Sequence, residues 1–181
     1  LSARYSTGFR APSFNDLYYP YFGNPDLQPE ESKNLNLALS GQVQAWRWTL
    51  DVFENRVDDL ISFDSTTFLP GNIDTARLRG GEITVATTVA GWDLSAQYSH
   101  VDPRNRSQGA NRGKLLPRRA RDTGRIDLDR DFGDFAFGTT VNAAGSRFDA
   151  AAILVRVGGY ATLALRVEYA LGSDWTVLAR V

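Results

Sequence analysis

The sequence predicts an all-β fold, an antiparallel transmembrane β-barrel segment of about nine strands, and three observations carry that prediction. Stretches of about ten residues alternate between apolar and polar side chains, the period of a two-faced strand. The joins between them sort by length: those at 41–45, 90–91, 133–134 and 172–174 are short, whereas those at roughly 12–32, 64–75, 102–120 and 149–158 are long and polar. The polar stripes carry charges such as Asp127, Asp129 and Arg166, which are costly to bury without partners and cheap beside water. A barrel with short turns at one rim, long loops at the other, an oily outside and a wet inside accommodates all three.

The elements follow in order. The first strand sets Leu1, Ala3, Tyr5, Thr7 and Phe9 against Ser2, Arg4, Ser6, Gly8 and Arg10, and Pro12 ends it because proline cannot donate to a ladder. The second opposes Leu35, Leu37 and Leu39 to Asn34, Asn36, Ala38 and Ser40, and the third Trp46, Trp48, Leu50 and Val52 to Arg47, Thr49 and Asp51. Arg77, Arg79 and the Gly80-Gly81 pair lead into a fourth, with Ile83, Val85 and Val89 on its apolar face; the arginines suit rim positions that reach headgroup phosphates. Trp92, Leu94, Ala96 and Tyr98 mark the fifth, and Ile126, Leu128 and Phe132 the sixth, where Asp127, Asp129 and Asp131 line the opposite face and would pair with Arg125 or Arg166. Phe135, Phe137 and Val141 form the seventh apolar stripe, Leu163, Leu165, Val167 and Tyr169 the eighth, and Trp175, Val177 and Ala179 the last. All four tryptophans follow short turns, Phe132 and Phe135 flank one and Tyr169 precedes one; together they predict a single aromatic girdle at the rim of short turns.

Composition bounds the function. The chain has 181 residues, a formal net charge of -1 and no cysteine, which leaves no basic excess for a nucleic-acid partner and no disulfide or thiolate metal site. Mean hydropathy is -0.30, and no apolar run approaches the ~18 residues of a membrane helix. His100 is the only histidine, so neither a triad nor a zinc site has support, and no enzyme activity is expected.

Three segments resemble the C-terminal barrel half of TonB-dependent outer-membrane receptors. They are Thr7-Gly8-Phe9-Arg10-Ala11-Pro12 continuing to Gly23-Asn24-Pro25-Asp26-Leu27-Gln28-Pro29-Glu30-Glu31-Ser32, then Arg77-Leu78-Arg79-Gly80-Gly81-Glu82, and the terminal Ala179-Arg180-Val181. Within the family the likeness is greatest to its cobalamin transporters, through Arg56-Val57-Asp58-Asp59-Leu60-Ile61, Tyr98-Ser99-His100-Val101-Asp102, Leu115-Leu116-Pro117-Arg118-Arg119-Ala120 and Gly145-Ser146-Arg147-Phe148-Asp149. The resemblance implies that residues 1–181 belong to a 22-stranded barrel in the bacterial outer membrane, with a plug domain before them and a final strand after them. It implies partners of four kinds: a cobalamin ligand, or a ferric siderophore or haem as the alternative within the family; TonB, through a box in the preceding region; outer-membrane lipid; and lipopolysaccharide. A passive porin is the more distant alternative. It implies no cofactor within 1–181, calcium being a matter for the preceding loops.

By the same resemblance Arg118 is the ligand contact, the alternative being a rim charge solvated or paired with lipopolysaccharide. Alanines stand at Ala150, Ala151 and Ala152, where the cobalamin transporters carry a tyrosine contact. Independently of the family, Tyr18, Tyr19 and Tyr21 with Phe22 form an aromatic loop that suits a flat, partly apolar ligand; the alternative is that they pack on one another. The residues proposed for ligand binding are thus Arg118, Tyr18, Tyr19 and Tyr21.

Overall fold

A computed structural model describes residues 1–64, 67–149, 155–172 and 174–181. Among these, nine strands form one antiparallel sheet, each hydrogen-bonded to its neighbour: β1 (Ser2–Arg10), β2 (Glu30–Val43), β3 (Trp46–Asp64), β4 (Leu69–Val89), β5 (Trp92–Asn105), β6 (Asp122–Phe132), β7 (Phe135–Ala144), β10 (Tyr160–Leu171) and β11 (Trp175–Arg180). A short helix, α1 (Phe14–Tyr18), lies between β1 and β2, and β8 (Arg147–Phe148) pairs with β9 (Arg156–Val157) between β7 and β10. The sheet does not close: β1 and β11 are its edges.

A single layer has no interior. The apolar stripes stay open on one face, with Leu39 and Leu50 each more than two-fifths exposed and Leu163 62% exposed. Among the described residues the buried apolar side chains are few: Leu27 under the 11–29 loop, and one small cluster of Val57, Leu60, Ala76 and Leu116. A sandwich would have hidden those stripes between two sheets. Here they suit only a hydrocarbon surround.

The opposite face carries the charges, and Asp127 and Asp129 are paired with the arginines the sequence predicts, whereas Asp131 is not, among the described residues. Arg125 binds Asp127 at 2.6 Å, and Thr140 donates to the same carboxylate at 2.7 Å. Arg166 reaches Asp129 at 2.8 Å and Glu168 at 3.2 Å. The Asp129–Arg166 pair spans two strands because Gly138, in register with both, lies between them; a Cβ there would stand 2.5 Å from the aspartate oxygen and 3.1 Å from the guanidinium.

The aromatic girdle is continuous over its central part. Trp92 meets Phe132 edge-on at 6.1 Å, Phe132 meets Phe137 at 5.7 Å, Phe137 stacks on Phe135 at 6.3 Å, and Phe135 on Tyr169 at 4.4 Å. Arg130 lies over both Trp92 and Phe132, a cation–π seat that keeps its charge at the rim. Gly41, cross-strand from Trp48, leaves room for the indole, whose nearest atom would lie 2.6 Å from a Cβ.

Three expected loops need correction. The 64–75 stretch is mostly ladder rather than loop: β3 and β4 pair up to Asp64↔Leu69, and their 19 and 21 residues far exceed the ~10 that cross a bilayer. The pairing persists because backbone groups still need partners outside the membrane. The extension is hard to read in the sequence because Asp59 adopts φ 55°, which breaks the alternation and lets Val57 and Leu60, of opposite parity, join one cluster. The 149–158 stretch likewise contains β9, and the 102–120 stretch begins with the end of β5. Residues 65–66, the alanines within 150–154, and residue 173 of the last short turn lie outside the described residues.

The two faces make opposite demands on charge. Leu50→Arg, on the open apolar stripe, is expected to destabilise the folded barrel in bilayers by about 2–4 kcal/mol, whereas Thr49→Arg, one residue away on the charged face, costs about 1 kcal/mol or less. Denaturant titration of the full-length protein folded into vesicles measures both.

Candidate functional site

The long loops gather at the rim opposite the girdle, and their order comes from side chains that staple them to the protruding β3–β4 hairpin. In the 11–29 loop, Ser13 and Asp16 form a capping box at the start of α1: Ser13 Oγ accepts from the Asp16 amide, and the Asp16 carboxylate accepts from the Ser13 amide at 2.9 Å and its hydroxyl at 2.7 Å. Those bonds hold the Asp16 carboxyl below its ordinary pKa. Beyond the helix, Asn24 donates to the Pro70 carbonyl (3.0 Å) and accepts from the Asp26 amide (3.0 Å), a local turn that explains the Gly-Asn-Pro step. Asn72 accepts from the Gln28 amide (2.9 Å) and donates to the carbonyls of Gln28 (3.0 Å) and Asp59 (2.6 Å). Leu27 is buried beneath them.

Glu30 solves a different problem. Pairing of β2 with β3 stops at Glu31↔Asp58, which leaves the protruding part of β3 without a partner on that side. The Glu30 carboxylate accepts from the Ile61 amide at 2.9 Å and from Arg10 at 2.8 Å, joining three strands at one acceptor. Asn24 and Glu30 lie within the hallmark loop motif but their roles depend on Pro70 and Ile61, distant in sequence. Nothing local marks Asn72.

The loop after β5 folds back along its own strand. Leu116 donates to Pro103 (3.0 Å) and Asn105 to Lys114 (2.9 Å), and Leu116 fills the small buried cluster. This delivers Arg118, in a left-handed conformation (φ 58°), to the meeting point of three loops. Its amide donates to the Phe148 carbonyl at 2.6 Å, its Nε lies 3.0 Å from the Asp149 carboxylate, and its guanidinium sits over the Phe63 ring at 4.6 Å. Arg118 is therefore a half-exposed cross-brace as well as a surface cation. Arg119, beside it, stands in the field of Glu30 and Arg10.

The tyrosines divide. Tyr19 and Phe22, in ring contact at 6.3 Å, line a cleft of about 230 Å³ with Ile61 and Phe63. Because Phe63 also carries Arg118, Tyr19 and Arg118 share one aromatic floor. On the other side of Phe63 a second cleft of about 300 Å³ runs between the β3–β4 hairpin and the loop after β5, lined by Asn72, Asn105 and Pro117. Tyr18 instead packs on Phe14 at 5.2 Å, and Tyr21 projects with 96% of its surface exposed. Among the described residues no three His, Asp or Glu side chains are grouped to hold a metal.

A one-layer sheet with an oily outer wall, a charged inner wall and braced loops at one rim defines an outer-membrane barrel of the receptor type. The chain belongs to the TonB dependent receptor-like β-barrel family, whose profile matches residues 1–181. That family consists of transporters and receptors in the outer membrane of Gram-negative bacteria. Over 190 aligned residues the chain is 30% identical to the vitamin B12 transporter BtuB of Photobacterium profundum, covering 100% of this chain and 30% of that one. Two solved structures share its fold: the copper transporter OprC, with a TM-score of 0.74 at 18% identity over 98% of this chain and 30% of its own, and the ferric enterobactin receptor PfeA of Pseudomonas aeruginosa, with 0.73 at 19% over 98% and 31%. The chain thus spans under a third of the length of these relatives.

Asn72→Ala removes two hydrogen bonds between the 11–29 loop and the hairpin, and a third within the hairpin, to Asp59. The loop should open more often by about 1–2 kcal/mol, or about 5- to 30-fold in population. Chymotrypsin cleavage at the 18–22 aromatic run, followed on cells displaying the full-length receptor, is expected to accelerate by that factor.

Proposed function

We propose that this chain is the ligand-facing wall of a TonB-dependent outer-membrane transporter for cobalamin. In this reading its nine strands belong to a 22-stranded barrel, and a plug domain and TonB-contacting box in the rest of the protein supply gating and energy coupling. The observation that carries the ligand is the 30% identity to a curated vitamin B12 transporter over the whole chain. The braced geometry agrees with it: Arg118 and Tyr19 frame Phe63 at the rim, where a large ligand with an apolar face and polar side groups would rest on the ring and be fixed by the cation. Tyr21, exposed and held in a left-handed turn at φ 67°, is placed to close over such a ligand, and Tyr18 supports it from α1.

A second reading, uptake of a ferric siderophore or haem, is favoured by one observation. Alanines occupy 150–152, where the cobalamin transporters carry a tyrosine.

Titration of the full-length receptor separates the two. Cyanocobalamin is expected to bind at micromolar concentration or tighter, with ferric siderophores and haem as controls; no binding of cobalamin, or tighter binding of a control, removes the cobalamin assignment. Arg118→Ala should weaken binding of the true ligand by about tenfold or more, and Tyr19→Ala by a few-fold, from the loss of one charged and one aromatic contact.

A further inference from the structure

The cleft of about 300 Å³ between the β3–β4 hairpin and the loop after β5 differs in chemistry from its neighbour across Phe63. Its walls present the amides of Asn72, Asn105, Gln108 and Asn111 and the carboxylates of Asp64 and Asp74. Among the described residues no lysine or arginine lines it. The neighbouring cleft has Arg10 in its wall, and Arg118 lies over the ring that both share. A compartment served by guanidiniums thus adjoins one made of neutral amides and acids, with Phe63 common to the two.

Asn105 is held rigidly at the edge of this second compartment. Its backbone amide donates to the Lys114 carbonyl at 2.9 Å, and its carbonyl accepts from the Gly113 amide at 2.8 Å. Its Oδ1 accepts from the Ser107 amide at 2.8 Å. The residue is only 8% exposed, yet it lines the cleft, and its Nδ2 has no acceptor among the described residues. An unused donor on a nearly buried side chain calls for an acceptor from the cleft.

Asp74 supplies the opposite half of the pattern. Register places Asn105 opposite Ala76, two positions along β4 from Asp74, so the two residues belong to one side of the sheet. Asp74 is exposed, lines the same cleft, and has no hydrogen-bond or ion-pair partner among the described residues. A donor and a charged acceptor facing one space complement a primary carboxamide, whose carbonyl accepts and whose NH2 donates. The same pair disfavours a carboxylate, which has no proton to give Asp74 and carries its sign of charge.

On the cobalamin reading, on which this rests, we propose that the cleft takes one of the carboxamide groups at the periphery of the corrinoid and rejects the corresponding carboxylate. Asn105 Nδ2 donates to the amide oxygen, and the Asp74 carboxylate accepts from the amide nitrogen. Arg118, Tyr19 and Phe63 hold the body of the ligand, while the cleft reads a side group. The receptor thereby selects the amidated corrinoid over its acids.

Equilibrium binding to the full-length receptor at neutral pH tests this, using cyanocobalamin and each monocarboxylic acid made from it by hydrolysing one propionamide. The acid whose altered group enters the cleft is expected to bind about tenfold more weakly than cyanocobalamin. Asp74→Asn removes the like charge and has no ion pair to break; it should narrow that penalty to about threefold or less and leave cyanocobalamin binding within about twofold. Asn105→Asp keeps an acceptor for the Ser107 amide but replaces the free donor with an oxygen, and should weaken cyanocobalamin binding by about fivefold or more. Should that variant fail to assemble, Ala110→Trp, which fills the cleft from an exposed position, is expected to weaken cyanocobalamin to the same extent with no change of charge. Equal affinity for cyanocobalamin and all of its acids, or a penalty that Asp74→Asn leaves unchanged, would overturn the proposal and leave the cobalamin reading standing. Absence of cyanocobalamin binding to the wild type would remove both.

Discussion

A sheet one layer thick must satisfy two solvents at once, and that constraint governs the rest of the molecule. Side chains alternate across a strand, so each strand meets hydrocarbon with one set of residues and water with the other. No large apolar core offsets the loss of chain entropy here; the buried cluster is four residues at the loop rim. Cohesion rests on the backbone ladder, unbroken through eight strand pairs, and on a membrane that removes the open leucine face from water. The ladder also explains why the edges matter. Unpaired amides and carbonyls in hydrocarbon cost several kcal/mol each, so β1 and β11 must be covered by further strands in the bilayer.

The charged face is built on the same logic. Asp127, Asp129, Arg125 and Arg166 sit where water reaches them, yet all four are paired across or along strands. Exposed pairs of this kind contribute little stability one at a time. Their value lies in keeping those four charges matched against whatever fills the lumen, and Gly138 is the concession that lets one pair cross a strand. The girdle has the corresponding role at the opposite surface, where Arg130 rests on Trp92 and Phe132 so that a cation on the oily face remains at the interface.

How much of this was legible depended on whether the governing contact is periodic. The strands, their faces, the central part of the girdle and the pairing of Asp127 and Asp129 follow from alternation and turn length, and these are present in the sheet. The loop rim is not periodic. The hairpin extension past Asp58 was hidden by one left-handed residue, Asp59. Asn72, 44 residues from Gln28, has no local signature. Of the ligand candidates, Tyr19 and Arg118 converge on Phe63, whereas Tyr18 and Tyr21 do not line that cleft. The sequence could nominate exposed aromatics, but the partner that groups them sits at the tip of a different hairpin. The arginine cluster on the outer face was half-visible: Arg79 reads as a rim residue, yet its convergence with Arg104 and Arg121 on Asp102 needs the β4–β5 register and the return of the loop after β5.

The rim therefore has two kinds of arginine in opposite circumstances. Arg118 is matched: a carboxylate, a ring and a carbonyl across three loops fix it in place. A ligand engaging Arg118 must compete with Asp149 and would loosen the junction between the hairpin, the loop after β5 and the β8–β9 turn as it binds. Arg79, Arg104 and Arg121 instead share a single carboxylate, that of Asp102, on the outer face. The same residue type thus braces three loops at one place and crowds one carboxylate at the other, and the difference lies in how many acceptors the fold supplies to each.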